Sequence, residues 1–447
     1  MRGLGDIFEV PELRRRVLFT LGAIAIFRIG ASIPIPGVNS EAIRAIFTAQ
    51  SGSLLGFLNT FSGGALARFS IFSMGVVPYI NASIIMSLLQ GAHVLPFLDR
   101  LAKDGELGRR KLNSYTRYLT LFLAVFQSFG LTIAITKMQA PGGMPTVVDP
   151  TWMFYCVTVL TMTAGTIFVM WLGEQITEMG IGNGVSLLIF TGIVESIPAA
   201  SYSLFELVRL EELNLFAALG IVAALAAVVV IVVWVETAQR KIPVQYAKRM
   251  VGRKMYGGSQ SYLPLKVDQS GVIAVIFALS LLSVPVTVAT FMPQDSSTGE
   301  GLMRFFQGGN YVYDVVYAAL IIFFCYFYNS VSINPVDLAE NMKKSGGFIP
   351  GIRPGEPTAK HIEWILERIT LGGALFVAII AVMPDVMKRE FSVPFFFGGT
   401  SLLIAVGVAL DTMGQLEAHL IMRHYEGFLK KGRIQGRWFN VGSGVSR

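Results

Sequence analysis

Residues 213–235 read LNLFAALGIVAALAAVVVIVVWV and contain no Asp, Glu, Lys or Arg. A helix of about 20 consecutive apolar residues crosses a bilayer core. The helical form lets such a run satisfy its own backbone donors and acceptors where there is no water. Nine further runs share this character, at 17–35, 75–95, 116–136, 152–173, 184–203, 271–292, 311–333, 369–387 and 395–415. The composition agrees. Of 447 residues, 53% are hydrophobic and 15% charged, whereas a soluble domain carries about 25% charged residues. The mean hydropathy is +0.59. An ordinary soluble enzyme, a disordered chain and a coiled coil are excluded. The first run is followed by Pro34-Ile35-Pro36-Gly37, with no small-residue cleavage pattern, and reads as a retained span rather than a signal peptide.

The cations orient these spans. With the N-terminal side called inside, inside segments hold 28 of the 36 Lys and Arg, outside segments hold seven, and Arg28 lies within a span. Such an excess marks the cytoplasmic side, so both termini are expected there and the span count is even. Five runs precede residue 204 and five follow residue 212. An odd number per half makes the second half enter the membrane inverted, as in transporters built from inverted repeats. The expected organisation is an N-terminal half (1–203), a linker (204–212) with Glu206, Glu211 and Glu212, a C-terminal half (213–415) and a cytoplasmic tail (416–447).

Three segments are not plain spans. Residues 53–73 are apolar but broken at Phe61-Ser62-Gly63-Gly64-Ala65, with Arg68 following. A continuous helix through to 95 would hold Pro78 in its interior, where proline clashes with the preceding turn. The segment therefore reads as a short half-helix on the outer side, followed by a true span from about residue 76. It sits either inside the bundle, where irregular backbone at membrane depth is tolerated, or at the interface outside it. The inside loops 236–268 and 334–368 are far longer than connectors need to be. The first interleaves Arg240, Lys241, Lys248, Arg249, Arg253, Lys254 and Lys266 with Tyr246, Tyr256 and Tyr262, and the second carries Lys343-Lys344 and Gly351-Ile352-Arg353-Pro354-Gly355. Loops of this composition suit anionic lipid, RNA or an acidic protein surface.

The sequence shows no phosphate-binding loop, no zinc-protease motif and no nucleophile–histidine pair within a span. Charged candidates in or near the spans are few, among them Arg28, Glu195, Glu236 and Asp411, toward span ends. An ion-coupled carrier places more ionisable groups at mid-depth. Apolar pairs are present instead. Val76 and Ile80 stand at i, i+4, as do Val185 and Ile189, each pair on one helix face. Alone, such pairs are common in any core.

Several motifs together resemble the SecY family, whose members form the central subunit of the bacterial protein-conducting channel. They are Phe27-Arg28-Ile29-Gly30 with Ile33-Pro34-Ile35-Pro36-Gly37, Phe61-Ser62-Gly63-Gly64-Ala65-Leu66, Pro78-Tyr79-Ile80-Asn81-Ala82-Ser83-Ile84, Gly180-Ile181-Gly182-Asn183-Gly184, Gln239-Arg240-Lys241-Ile242-Pro243, Leu263-Pro264-Leu265-Lys266-Val267, Gly347-Phe348-Ile349-Pro350-Gly351-Ile352-Arg353-Pro354-Gly355 and Phe397-Gly398-Gly399-Thr400-Ser401. They run from the first span to the last in the family's order.

The resemblance implies an all-α membrane protein: ten transmembrane helices in two inverted five-helix halves, forming a clamshell around an hourglass pore. It places the six apolar residues of the pore ring on Val76, Ile80, Val185, Ile189, Ile276 and Ile404. It places a plug at about 60–73, with Phe61, Ser62, Gly63, Gly64, Ala65, Leu66, Ala67 and Arg68. A lateral gate would lie between spans 2–3 and 7–8. Arg253, Lys254 and Arg353 would dock the ribosome and the motor ATPase SecA. Further partners implied are the small subunits SecE and SecG, signal sequences, nascent polypeptides and the lipid bilayer, with no cofactor. Ala274 stands where the family often has proline, a departure that bears on the kink of span 7 and so on the resting gate width.

The expected function is a non-enzymatic channel subunit in the cytoplasmic membrane of a bacterium, which translocates unfolded polypeptides across the membrane and releases transmembrane segments laterally into it. A secondary carrier is the rival reading. An apolar ring favours the channel and a mid-span cluster of ionisable groups favours the carrier.

Overall fold

The computed structural model describes residues 11–49, 54–91, 96–138, 144–147, 149–210, 214–246, 249–251, 254–256, 260–290, 301, 305, 310–391 and 399–431. The described chain begins with α1 (Pro11–Ser32), α2 (Ser40–Ala49), α3 (Leu54–Phe61), α4 (Val77–Gly91), α5 (Pro96–Lys103), α6 (Gly105–Lys137), α7 (Trp152–Met179), α8 (Gly184–Arg209) and α9 (Leu215–Thr237). Strands β1 (Gln239–Tyr246), β2 (Arg249–Val251), β3 (Lys254–Tyr256) and β4 (Gln260–Lys266) follow. The remainder is α10 (Gly271–Thr290), α11 (Tyr311–Ser332), α12 (Pro335–Lys344), β5 (Gly347–Phe348), α13 (Glu356–Phe391) and α14 (Gly399–Lys431).

The ten apolar runs fall on α1, α4, α6, α7, α8, α9, α10, α11, α13 and α14. Seven of these, α6 to α9, α11, α13 and α14, are long and apolar enough to cross a membrane. Helix α9 is apolar all round, and only Ala218 and Val232 of it are buried in the protein. A helix that stays apolar on every face and is left uncovered by its own chain is solvated by lipid. The largest core draws on α1, α4, α7, α8, α10, α11, α13 and α14, with Phe27, Leu188, Ile193, Ile321, Phe324 and Leu403 buried in it. Ala274 is fully buried there, inside α10.

Three segments differ in detail from the sequence reading. The first concerns 53–76: the helix precedes the Gly63-Gly64 break, and residues 62–76 run as turns before α4 begins at Val77. Gly63 (φ 65°) and Gly64 (φ 71°) take left-handed backbone, which glycine adopts without steric cost. Secondly, residues 204–209 of the expected linker continue α8, since nothing in that stretch breaks a helix, while 211–213 lie outside the described residues. Part of the expected tail, 416–431, likewise continues α14.

The third concerns the long inside loops, which carry strands. Strand β1 pairs antiparallel with β4, Gln239 opposite Lys266 through Gln245 opposite Gln260. Its other edge pairs antiparallel with β5, Gln245 opposite Phe348. The sheet order β4-β1-β5 thus joins the two loops into one body. The cause is a period of two in Lys241-Ile242-Pro243-Val244, which turns Ile242 and Val244 inward and the residues between them outward. Ile242 and Leu265 pack with Ile349, Ile362 and Leu366 in a small separate core against the start of α13. The membrane part is all-helical, as expected, and the short strands lie in the long loops between spans.

Candidate functional site

Local signals position the six ring candidates. The Val76 carbonyl accepts the Ile80 N–H at 3.0 Å, which opens α4 with Pro78 in its first turn, where proline is tolerated. The Asn183 side chain accepts from the Val185 and Ser186 amides at 3.1 and 3.4 Å. That N-cap fixes the start of α8 and sets Val185 and Ile189 one turn apart on one face. At the head of α10, the Asp268 carboxylate accepts from Ser270 Oγ at 3.0 Å and from the Gly271 amide at 2.7 Å, which fixes the phase of Ile276. Ile404 lies in the second turn of α14.

All six belong to one hydrophobic cluster. Ile404, Ile189 and Val76 are 0%, 1% and 2% exposed, so they meet side chains and not solvent. A cavity of about 510 Å³ abuts them, with Ile80, Val185, Ile189 and Ile276 in its lining. Its polar wall holds Asn113, Arg117, Glu174 and Glu178, at the end of the bundle formed by residues 174–183. Arg117 forks onto Glu174, Nε to Oε1 at 2.9 Å and Nη2 to Oε2 at 2.8 Å. A cavity with polar residues on one side therefore borders four of the six apolar candidates. Among the described residues no group of three or more His, Cys, Asp or Glu is arranged to hold a metal ion.

Asp268 is 4% exposed, and burial pushes its carboxyl above the usual carboxylate range, against the hydrogen bonds from Gly271 and Ser270 that pull it down. A raised folded-state value means that the native state binds the proton more tightly than the unfolded chain does. Its stabilising contribution is complete below the unfolded value of about 3.9 and is lost as pH rises through the folded value. Asp268→Asn keeps an oxygen acceptor for the Gly271 amide and carries no charge. It should melt above the parent at pH 8, with the gap closing as pH falls toward 4, in thermal unfolding of the purified protein at several pH values.

The plug candidates Phe61, Ser62, Gly63, Gly64, Ala65, Leu66, Ala67 and Arg68 pack against the bundle, with Gly64, Ala67 and Arg68 only half-buried. Phe61, Ser62, Ala65 and Leu66 are buried. The Ile35 amide donates to the Phe69 carbonyl at 2.9 Å and the Ile71 amide to the Ile33 carbonyl at 3.1 Å, which stitches the segment to the end of the Ile33–Gly37 motif. Leu66 and Phe69 pack with Ile35, Ile43, Ile135 and Met162. Phe69 holds a left-handed φ of 45° while fully buried, a strained conformation that this packing over-determines.

Arg28 and Glu195, read in the sequence as separate span-end charges, meet here. Glu195 Oε2 lies 2.6 Å from Arg28 Nη2, and its Oε1 lies 3.0 Å from Arg68 Nη2. The sequence showed the charges singly; each is costly in apolar surroundings unless paired, but their pairing follows from the packing of three separate elements. Of the docking candidates, Arg353 is exposed, Lys254 lies in β3, and Arg253 lies outside the described residues.

A family model described as SecY matches residues 70–413. "Protein translocase subunit SecY" of Aquifex aeolicus (strain VF5) is 46% identical over 429 residues, covering 96% of this chain and 99% of the relative. A solved structure described as "The structure of a protein conducting channel" superposes with a TM-score of 0.66 at 16% identity, covering 97% of this chain and 100% of its own. Another, described as Sec61 in the canine ribosome-channel complex from the endoplasmic reticulum, superposes with a TM-score of 0.62 at 16% identity, covering 97% and 100%. At that identity the structural likeness carries the fold.

Proposed function

Because the chain belongs to the SecY family, we propose how its own residues seal, open and serve a protein-conducting channel. The chain is a multi-pass membrane protein and a channel subunit of a protein translocase, not itself a catalyst. In our reading Val76, Ile80, Val185, Ile189, Ile276 and Ile404 form the constriction between the two halves. The observation that carries it is their convergence, from four separate helix regions, into one buried apolar cluster beside a cavity with polar residues on one side. An apolar ring excludes ions by dewetting. It yields to an unfolded chain of any sequence because it offers no specific bond to break. Segments apolar enough to prefer lipid leave sideways between α4/α6 and α10/α11, and signal sequences enter that same gate.

Residues 60–73 act as the plug on the outer side. Their burial and their stitching to Ile33 and Ile35 support this. The body made by β4-β1-β5 and the start of α13, with Lys254 and Arg353, and with Arg253 in the same loop, receives the ribosome or the motor ATPase SecA. Single- or few-span subunits, as SecE and SecG are, cover lipid-facing flanks. The membrane is the cytoplasmic membrane of a bacterium with both termini inside, as the placement of 28 of 36 cations supports.

Labelling tests the plug. Ala67 is half-buried and its amide donates to Asn59 Oδ1 at 2.7 Å. With Ala67→Cys, a membrane-impermeant maleimide added outside should react slowly with the resting channel and much faster when a stalled preprotein fills it. Equal rates in the two states would remove the plug assignment.

A further inference from the structure

Glu195 on α8 is the one carboxylate in a cluster with two guanidiniums. Arg28 Nη2 reaches its Oε2 at 2.6 Å and Arg68 Nη2 its Oε1 at 3.0 Å. Arg28 also donates from Nη1 to the Gly63 carbonyl at 3.1 Å, and Arg68 from Nη1 to Ser32 Oγ at 3.4 Å. The three side chains are 26%, 31% and 26% exposed for Arg28, Arg68 and Glu195. They are shielded enough for the attraction to count and open enough for water to reach them.

The three charges sit on parts of the chain of different kind. Arg28 and Glu195 belong to α1 and α8, both packed into the main core. Arg68 and the Gly63 carbonyl belong to the turn segment 62–76. The backbone of that segment rides directly on the ion pair: a Cβ at Gly63 would stand 2.9 Å from Arg28 Nη1, and one at Gly64 would stand 3.4 Å from Glu195 Oε2.

We propose that Arg28 and Glu195 form a fixed ionic receptor in the N-terminal half, and that Arg68, with the Gly63 carbonyl, is the detachable latch that holds the plug closed. The inference rests on the plug reading of residues 60–73. Its physics limits the latch from both sides. When the segment leaves, Glu195 keeps Arg28, so no shielded charge is left without a partner, the most costly outcome for such a group. While the segment is in place, two cations share one anion and repel each other, which keeps the latch from becoming a lock. Because water reaches all three groups, the latch should weaken as salt rises.

The test is single-channel recording from the intact channel complex in planar bilayers without substrate. Arg68→Gln should open about tenfold more often than the parent, as expected for one partly shielded pair. Arg68→Lys should recover most of the closure, and raising salt should open the parent but not Arg68→Gln. Glu195→Gln alone should also leak, and Arg68→Gln/Glu195→Gln should leak no more than the leakier single variant, because both remove one interaction. Glu195→Gln leaves two arginines facing one another and could fail to assemble; Arg68→Gln, at the edge of the cluster, then decides alone. Deletion of residues 62–73 separates the two claims. A leaking deletion with a silent Arg68→Gln, or with additive single effects, overturns the latch and leaves the plug standing. A deletion that does not leak overturns the plug, and the latch with it.

Discussion

Asparagine at Ile189 or at Ile404 should raise the ion conductance of the resting channel by about tenfold, the order expected when an unpaired amide costing about 1–3 kcal/mol must find water. Both isoleucines are buried to within 1% of completely, on α8 and α14, helices of opposite halves. A closed apolar constriction stays dry because a water there would surrender its hydrogen bonds without replacement. The asparagine amide supplies them, so the first water enters at little cost and ions follow. Shape alone is not the cause. Ile189→Leu and Ile404→Leu, which keep volume and polarity, should stay sealed. Single-channel recordings in planar bilayers distinguish the two classes. Unchanged conductance in both asparagine variants would take these residues out of the pore.

What the sequence made legible followed from long-range averages. Each of the ten runs is carried by about 20 residues of like character, so one interruption does not hide it; α9 shows this most plainly. The break at Gly63-Gly64 and the start of a span near residue 76 were also readable, because glycine and proline act locally. Two features were not read. The β4-β1-β5 sheet rests on a short alternation, Ile242 and Val244, within a loop whose lysines and arginines dominate its composition. Its pairing with β5 joins residues about a hundred positions apart, which no local pattern specifies. The Arg28–Glu195–Arg68 cluster joins three elements in the same way. Arg28 and Glu195 were visible as span-end charges and Arg68 as a charge after the glycine break, but pairing is a property of packing. The site was thus legible where one residue type repeats, and hidden where single residues meet across the fold.

Arg353→Glu should reduce motor-driven translocation by about 100-fold when the motor is limiting, the loss expected when one partner of a close interfacial charge pair is reversed. The geometry isolates the guanidinium from structural duty. Its residue lies between Gly351 (φ 85°) and Pro354-Gly355 (φ 109° at Gly355), a turn that proline keeps extended at Arg353. Its backbone is held, since the Arg353 carbonyl accepts Thr358 Oγ1 at 2.9 Å where α13 begins. The base of the loop is held by the pairing of β5 with β1. The side chain is exposed and, among the described residues, makes no ion pair. A rigid turn that presents a bare planar fork suits a carboxylate or a group of carbonyls on a partner, with little ordering entropy lost on contact. Orientation in the membrane does not depend on it, because 27 other inside Lys and Arg remain. The variant should therefore insert with the parent's topology, stay sealed at rest and melt with the parent, while protease-protected preprotein collapses in reconstituted vesicles supplied with motor and ATP. Raising the motor concentration should recover part of the loss, because binding is what has been weakened. Full translocation at limiting motor would remove Arg353 from the docking surface, and an inverted topology would return it to the ranks of the topology charges.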